Sequence, residues 1–126
     1  MATFASDVID RLRDVREIEI ETTREAGEKR RTTIWIAVDG EDVFVRSEYG
    51  DNGWWYRDIT NRPDAVVHPR DIDPAGSIAV RAIPAGDGDS VERCSAAIKR
   101  KYPPGSSVDV MTSPPATEAT LRLEPA

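Results

Sequence analysis

The sequence predicts a mostly β (α+β) fold, a small antiparallel barrel of five to six strands plugged by two to three short helices. Three observations carry that expectation. Runs of β-branched and aromatic residues recur along residues 16–22, 31–38, 42–48 and 119–123. Asp39-Gly40 stands between two of them, and Asp-Gly is the strongest short-range hairpin signal because the favoured turn needs positive φ at both central residues. The helical patterns are short and fall between strands, which suits helices plugging a small antiparallel barrel.

The elements follow in order. From Ser6 to Arg13, Val8, Ile9 and Leu12 recur at helical spacing, and Ser6 or Asp7 can cap. Residues 16–22 alternate, with Ile18 and Ile20 inward and Glu17, Glu19 and Glu21 outward, the pattern of a half-buried strand. Residues 23–30 form a basic loop around Gly27, and the hairpin strands follow at 31–38 and 42–48. Gly50-Asp51-Asn52-Gly53 is a turn whose Asp51 or Asn52 can cap a helix starting near Trp54. That helix ends before Pro63, since the residue preceding a proline is pushed out of the helical region. Residues 65–68 and 76–83 read as two further strands joined by a connection over 69–74. Asp89 or Ser90 caps a second good helix with Val91, Cys94, Ala97 and Ile98 on one face. Lys99, Arg100 and Lys101 complement the negative end of its dipole, and Pro103-Pro104-Gly105 stops it. Residues 105–117 form a polar loop, and residues 119–123 alternate as a last strand.

The hairpin has two chemically different faces. With Asp39 and Gly40 as the turn, Val38 faces Glu41, Ile36 faces Val43 and Ile34 faces Val45, which makes a core face. On the other face Trp35 opposes Phe44 and Thr33 opposes Arg46. A four-residue loop slides the register but leaves each residue on its face. An aromatic pair, a hydroxyl and an arginine are poor core material and suit a ligand or subunit contact surface.

Length and charge exclude several classes of function. The 126 residues fit one domain, 1–126, with a modest core. With 39% hydrophobic and 32% charged residues the chain is expected to fold rather than stay disordered. No apolar run approaches the roughly 20 residues that cross a bilayer. The first residues lack the basic start and long apolar centre of a signal peptide. A lone cysteine, Cys94, excludes an internal disulfide and a cysteine zinc cage. The expected location is the cytoplasm, with no membrane contact. A net charge of -6 argues against a nucleic-acid partner. Arg24, Lys29, Arg30 and Arg31 nonetheless cluster, with Arg46 expected beside Arg31 across the hairpin. Such a basic spot either serves a small anion or decorates a loop.

Thr33-Ile34-Trp35-Ile36, Val43-Phe44-Val45-Arg46-Ser47, Gly50, Trp55-Tyr56-Arg57, Lys101-Tyr102 and Ala119-Thr120-Leu121-Arg122-Leu123 occur in that order over about residues 18–124. Together they resemble the FMN-binding split barrels, the superfamily of pyridoxamine-phosphate oxidase and the deazaflavin-dependent nitroreductases. Within it the chain looks like the domain-of-unknown-function family 2255. The resemblance implies a six-stranded antiparallel split β-barrel, a homodimer, and a cofactor cleft between subunits beside the second and third strands. It implies FMN or a deazaflavin coenzyme whose phosphate is held by Arg46 and Ser47, with Lys29, Arg30 or Arg31 contributing from the loop. It sets Thr32, Thr33 and Ile34 alongside the flavin-type ring, and Trp54, Trp55 and Tyr56 as walls of the cleft, with Trp35 and Arg57 also among the cofactor-binding residues. Arginine meets phosphate oxygens with a planar fork of donors, a serine hydroxyl adds a neutral one, and a helix starting at Trp54 adds free backbone N–H groups. The ring carries the redox chemistry and the protein supplies position and electrostatics.

Other residues have two readings each. Trp35 and Phe44 can stack on a ligand or anchor a subunit interface. Arg46 and Ser47 can bind an anion, or Arg46 can pair with a glutamate of the first strand. His68 can act as an acid or base but lies at a strand end with no evident nucleophile, which suits a structural role. Cys94 lies on an apolar helix face, where a thiol is a small hydrophobe. Glu17, Glu19 and Glu21 read as solvent surface rather than a metal site, since hard cations want oxygens converging from several elements. Tyr102 either reaches the cleft or closes the core.

The expected function is flavin- or deazaflavin-dependent hydride transfer to a small organic acceptor. A second reading, from a different class, is a non-enzymatic split barrel without flavin that binds another small molecule or a protein. Glu48 and Asp51 flank the expected phosphate position where flavin-binding relatives often place a basic residue, and they favour this second reading.

Overall fold

The computed structural model describes residues 3–70 and 76–126. The first helix, α1 (Ser6–Asp14), leads into strands β1 (Ile18–Thr23), β2 (Lys29–Ile34), β3 (Ala37–Asp39) and β4 (Asp42–Arg46). A 3-10 turn (Gly50–Asn52) precedes α2 (Trp54–Asn61), followed by β5 (Asp64–Pro69) and β6 (Ile78–Pro84). The chain ends with α3 (Gly88–Lys101), α4 (Ser106–Met111), a 3-10 turn (Ala116–Ala119) and β7 (Thr120–Pro125).

The seven strands form one antiparallel sheet in the order β2-β1-β5-β6-β7-β4-β3. Its two edges, β2 and β3, are consecutive in the chain and joined by Trp35 and Ile36 alone. Laid flat, the sheet would hold those edges about 29 Å apart, six gaps of about 4.8 Å. The link spans at most about 11 Å, three Cα steps. The sheet therefore curls until its edges meet, and the barrel stays split where β2 and β3 adjoin.

The fold class is the one expected, with seven strands in place of six. The difference arises at Trp35–Ile36, where the strand expected over 31–38 breaks in two. Its first half pairs with β1, with Arg31 opposite Glu21 and Thr33 opposite Glu19, and its second half pairs with β4. The hairpin turn is Asp39–Asp42, which sets Val38 opposite Val43, and Gly40 takes the positive φ of +62°. Each hairpin residue keeps its expected face, but Trp35 and Thr33 no longer oppose Phe44 and Arg46. Arg31 accordingly lies on the β1 side of the sheet rather than beside Arg46.

Three smaller corrections share one cause: capping and turn chemistry is decided by local geometry that composition underdetermines. Asp87 caps α3, its Oδ2 accepting from the Ser90 N–H at 3.0 Å, in place of Asp89 or Ser90. Among the described residues no side chain caps α1 or α2, where Ser6, Asp7, Asp51 and Asn52 were candidates. The polar loop expected over 105–117 contains α4 and the start of the second 3-10 turn. Of the connection expected over 69–74, residues 71–74 lie outside the described residues.

Two apolar clusters hold the structure. Ile18, Ile20, Ile36, Val43, Val45, Val67, Val80, Leu121 and Leu123 fill the barrel, closed by Leu12 of α1 and Trp55 and Ile59 of α2. The second cluster lies on the outer face of β4, where Phe44 and Ala37 pack under Cys94, Ala97 and Ile98 of α3, with Tyr102, Val108 and Met111. The hairpin's second face is thus core, contrary to the sequence expectation for Phe44 and Arg46. Phe44 is fully buried, a gain of about 2–3 kcal/mol at most by area removed from water. Among the described residues no helix is long and apolar enough to cross a membrane.

Candidate functional site

A cavity of about 430 Å³ opens beside the split in the barrel, within the range of small-molecule sites. Arg30, Thr32, Thr33 and Ile34 of β2 form one wall, Trp35 the corner, and Gly53, Trp54 and Trp55 at the start of α2 the facing wall. Arg46 of β4 and Ser107 and Met111 of α4 close it, and Glu17, Glu48 and Tyr49 complete the lining. The β2 wall is a sheet edge, so the backbone groups on its open side have no strand partner. Trp54 and Tyr49 are 66% and 65% exposed, a wet aromatic rim.

Arg46 sets the electrostatics. Its side chain is 2% exposed, and its partners are all neutral. Nε donates to Thr120 Oγ1 (2.8 Å), Nη1 to Ser95 Oγ (2.9 Å) and to the Met111 carbonyl (3.0 Å), and Nη2 to the Val91 carbonyl (3.0 Å). Four of the five N–H donors are used this way, and among the described residues no carboxylate pairs with it. Burial pushes the Arg46 pKa down from its ordinary value, and guanidinium still stays charged in proteins. The β4 strand thus contributes to the cavity lining a residue whose buried cation has no carboxylate partner among the described residues. Arg46 pairs with no β1 glutamate, the alternative expected from the sequence.

Arg30, the second lining cation, is neutralised. Its Nε lies 3.0 Å from Asp58 Oδ2 and its guanidinium 4.7 Å from the Trp54 ring centroid. Asp58 also accepts from Thr22 Oγ1 at 2.9 Å. On the acidic side, Glu17 stands 3.8 Å from Arg70, both partly exposed.

Of the other sequence-selected residues, Thr32, Thr33, Ile34, Trp35, Trp54 and Trp55 line the cavity and five do not. Lys29 reaches Thr23 Oγ1 (2.8 Å), Arg31 reaches Glu21 (3.2 Å) and Glu19 (3.4 Å), and Arg57 reaches the Asp51 carbonyl (3.2 Å). Tyr56 meets Trp55 edge-on and packs against the barrel core. Ser47 lies behind Gly53, whose missing Cβ leaves room for the Ser47 hydroxyl. That hydroxyl is buried and has no hydrogen-bond partner among the described residues. Ser107 and Met111 went unrecognised because the sequence reads as loop there; a helix between Gly105 and Pro114 carries them to the site.

The remaining candidates resolve into structure. His68 bridges Glu21 Oε1 (3.0 Å) and Ser77 Oγ (2.8 Å) on the outer sheet face. Cys94 is buried, and burial pushes its thiol up to about 11. Tyr102 lies in the second core cluster, its hydroxyl donating to the Arg16 carbonyl at 2.7 Å, and burial pushes its pKa up to about 12.

The curled sheet and this cleft define a split-barrel protein. Among solved structures the chain is similar to the heme storage protein HutZ of Vibrio cholerae (TM-score 0.68, 10% identity, 95% of this chain and 88% of that one). It is similar to a putative pyridoxamine 5'-phosphate oxidase of Listeria innocua (0.63, 14%, 93% and 87%), and to an F420 reductase (0.58, 18%, 98% and 96%). At these identities the likeness is one of fold. No curated protein matches the sequence. The chain belongs to the family described as "Uncharacterized protein conserved in bacteria (DUF2255)", which matches residues 8–123.

Proposed function

We propose that this cavity holds a planar, anionic cofactor of the FMN or deazaflavin class, in an oxidoreductase acting on a small organic substrate. The observation that carries the reading is Arg46, a residue of the cavity lining whose buried guanidinium has no carboxylate partner among the described residues. A buried charge is stable only when paired or well hydrogen-bonded. The hydrogen bonds are present; the balancing anion is left to a ligand. The rest of the lining fits such a group. Trp35, Trp54 and Trp55 offer flat surfaces, and the open edge of β2 offers backbone donors and acceptors to ring heteroatoms. Uncapped N–H groups at the start of α2 add a weak pull on negative charge. When bound, the ring supplies hydride transfer, and this chain's residues orient it and shield it from water.

Two structural neighbours are named for an F420 reductase and a pyridoxamine-phosphate oxidase, which agrees with this reading. HutZ is named for heme storage, but histidine-ligated heme finds no support here. His68 is the single histidine and is held by Glu21 and Ser77 outside the cavity. We also propose a homodimer, in which a second copy covers the exposed rings of Tyr49 and Trp54, since large exposed aromatics mark interfaces. Light scattering should then report twice the chain mass.

The test is titration with FMN and with the deazaflavin coenzyme, read by tryptophan quenching. Micromolar binding of either is expected, weakened at least tenfold by Trp54→Ala, with light scattering on that variant separating lost binding from lost assembly. If neither coenzyme binds at millimolar concentration, the reading fails and the non-enzymatic alternative stands.

A further inference from the structure

The break between β2 and β3 leaves the backbone of Ile36 without a sheet partner, and the C-terminal end of α3 supplies one. Ile36 N–H donates to the Tyr102 hydroxyl at 3.2 Å, and the Ile36 carbonyl accepts from Lys101 Nζ at 2.7 Å. The Tyr102 hydroxyl has one proton and spends it on its shorter contact, the Arg16 carbonyl at 2.7 Å. Next to this clamp the Trp35 and Tyr102 rings stack face to face, centroids 3.9 Å apart and planes within 7°. Trp35 lines the cavity; Tyr102 does not.

Trp35 needs such support. Behind it lies a packing gap too narrow for a water, lined by Trp35, Phe44, Cys94, Ile98 and Met111. Ring atoms bordering such a gap forfeit dispersion contacts on that side. With β2 ended at Ile34 and β3 begun at Ala37, no strand pairing fixes the residue between them.

We propose that Tyr102 is a positioning residue, which fixes the Trp35 indole through ring stacking and so preorganises one wall of the cavity for a planar ligand. This rests on the reading that the cavity takes a flavin-class ring. A wall held rigid before binding lowers the ordering cost of association. The hydroxyl has a separate task, holding the strand break.

Fluorine NMR on protein labelled with 5-fluorotryptophan, beside FMN titration, separates these statements. The three tryptophans give three lines, and Trp35→Phe assigns the one of interest. Tyr102→Phe keeps the ring: the Trp35 line should stay single and FMN affinity within about threefold of wild type. Tyr102→Leu removes the stack: the Trp35 line should broaden or split and FMN affinity fall at least tenfold, while the Trp55 line stays in place as evidence of an intact core. A sharp, unmoved Trp35 line in Tyr102→Leu overturns the proposal, and so does unchanged FMN affinity in that variant. Failure of wild type to bind either FMN or the deazaflavin coenzyme overturns the cofactor reading instead, and the fluorine lines still decide whether Tyr102 holds Trp35. Should Tyr102→Leu lose the Trp55 line, Tyr102→Met fills the volume without a ring and takes its place.

Discussion

Arg93 and Arg46 both fasten α3 to the β3–β4 hairpin, and they do so with opposite electrostatics. Arg93 reaches from the helix to the turn, where Asp39 Oδ2 lies 2.6 Å from its Nε and Asp42 Oδ2 2.7 Å from its Nη2. Arg100 adds a contact to Asp39 at 3.2 Å. Arg46 reaches the other way, from β4 into the helix, and meets carbonyls and hydroxyls alone. The Arg93 charge is balanced within the chain, which makes it a latch. The Arg46 charge has no carboxylate partner among the described residues, and the residue lines a cavity, which makes it a latch and a candidate anion site at once. A count of arginines near a hairpin separates neither case; the partners do.

The contrast can be broken most directly at Arg46. Arg46→Ala leaves two carbonyls and two hydroxyls, all buried or partly buried, without their donor. A loss of about 3–5 kcal/mol is expected in urea unfolding. A loss below about 1 kcal/mol would mean that this nest holds nothing together. Next in size is the ligand effect. FMN at a hundred times its dissociation constant should stabilise the wild type by about 2.7 kcal/mol. Thermal melts of Arg46→Gln, which retains amide donors but drops the charge, should show most of that gain gone. Equal gains in both proteins would detach the cavity from the guanidinium.

Arg93→Ala should cost less, about 1 kcal/mol, because its pairs are partly exposed and screened. A larger cost than that of Arg46→Ala would invert the comparison. The smallest effect is a pH dependence. The Arg93 hydrogen bond holds the Asp39 carboxyl below its ordinary 3.8. A carboxylate lowered on folding contributes stability above its unfolded value, and the contribution is lost as pH falls through the lowered folded value. Wild-type urea midpoints should therefore drop between about pH 5 and about pH 3, and Arg93→Ala should show a shallower drop. Parallel drops would remove Asp39 from the account.

Much of the fold was legible because local chemistry dictates it. Alternation placed Ile18 and Ile20 inward, and Asp39-Gly40 located the hairpin to within one residue, the loop falling on Gly40 and Glu41 with Gly40 alone at positive φ. The apolar stripe of Cys94, Ala97 and Ile98 marked the buried face of α3. The break at Trp35–Ile36 was not legible, since Thr33 to Val38 reads as one uninterrupted strand. It exists because the two halves pair with different neighbours at opposite edges of a curled sheet. The cavity was half legible. β2 and the Trp54 segment were on the right elements, while Arg31, Lys29 and Arg57 are cations that found partners elsewhere on the surface.

The chain's own periodicity determined which residues share a face, because a strand turns its side chains every second residue and a helix every third or fourth. Only the folded molecule decided what each face meets. Phe44 and Arg46 look outward from the barrel by pattern, and they are buried because a helix some fifty residues later lies across them. Burial and charge balance are sums over neighbours distant in sequence. That is why position 46 carried an arginine in plain sight while its missing counter-charge became visible only in three dimensions.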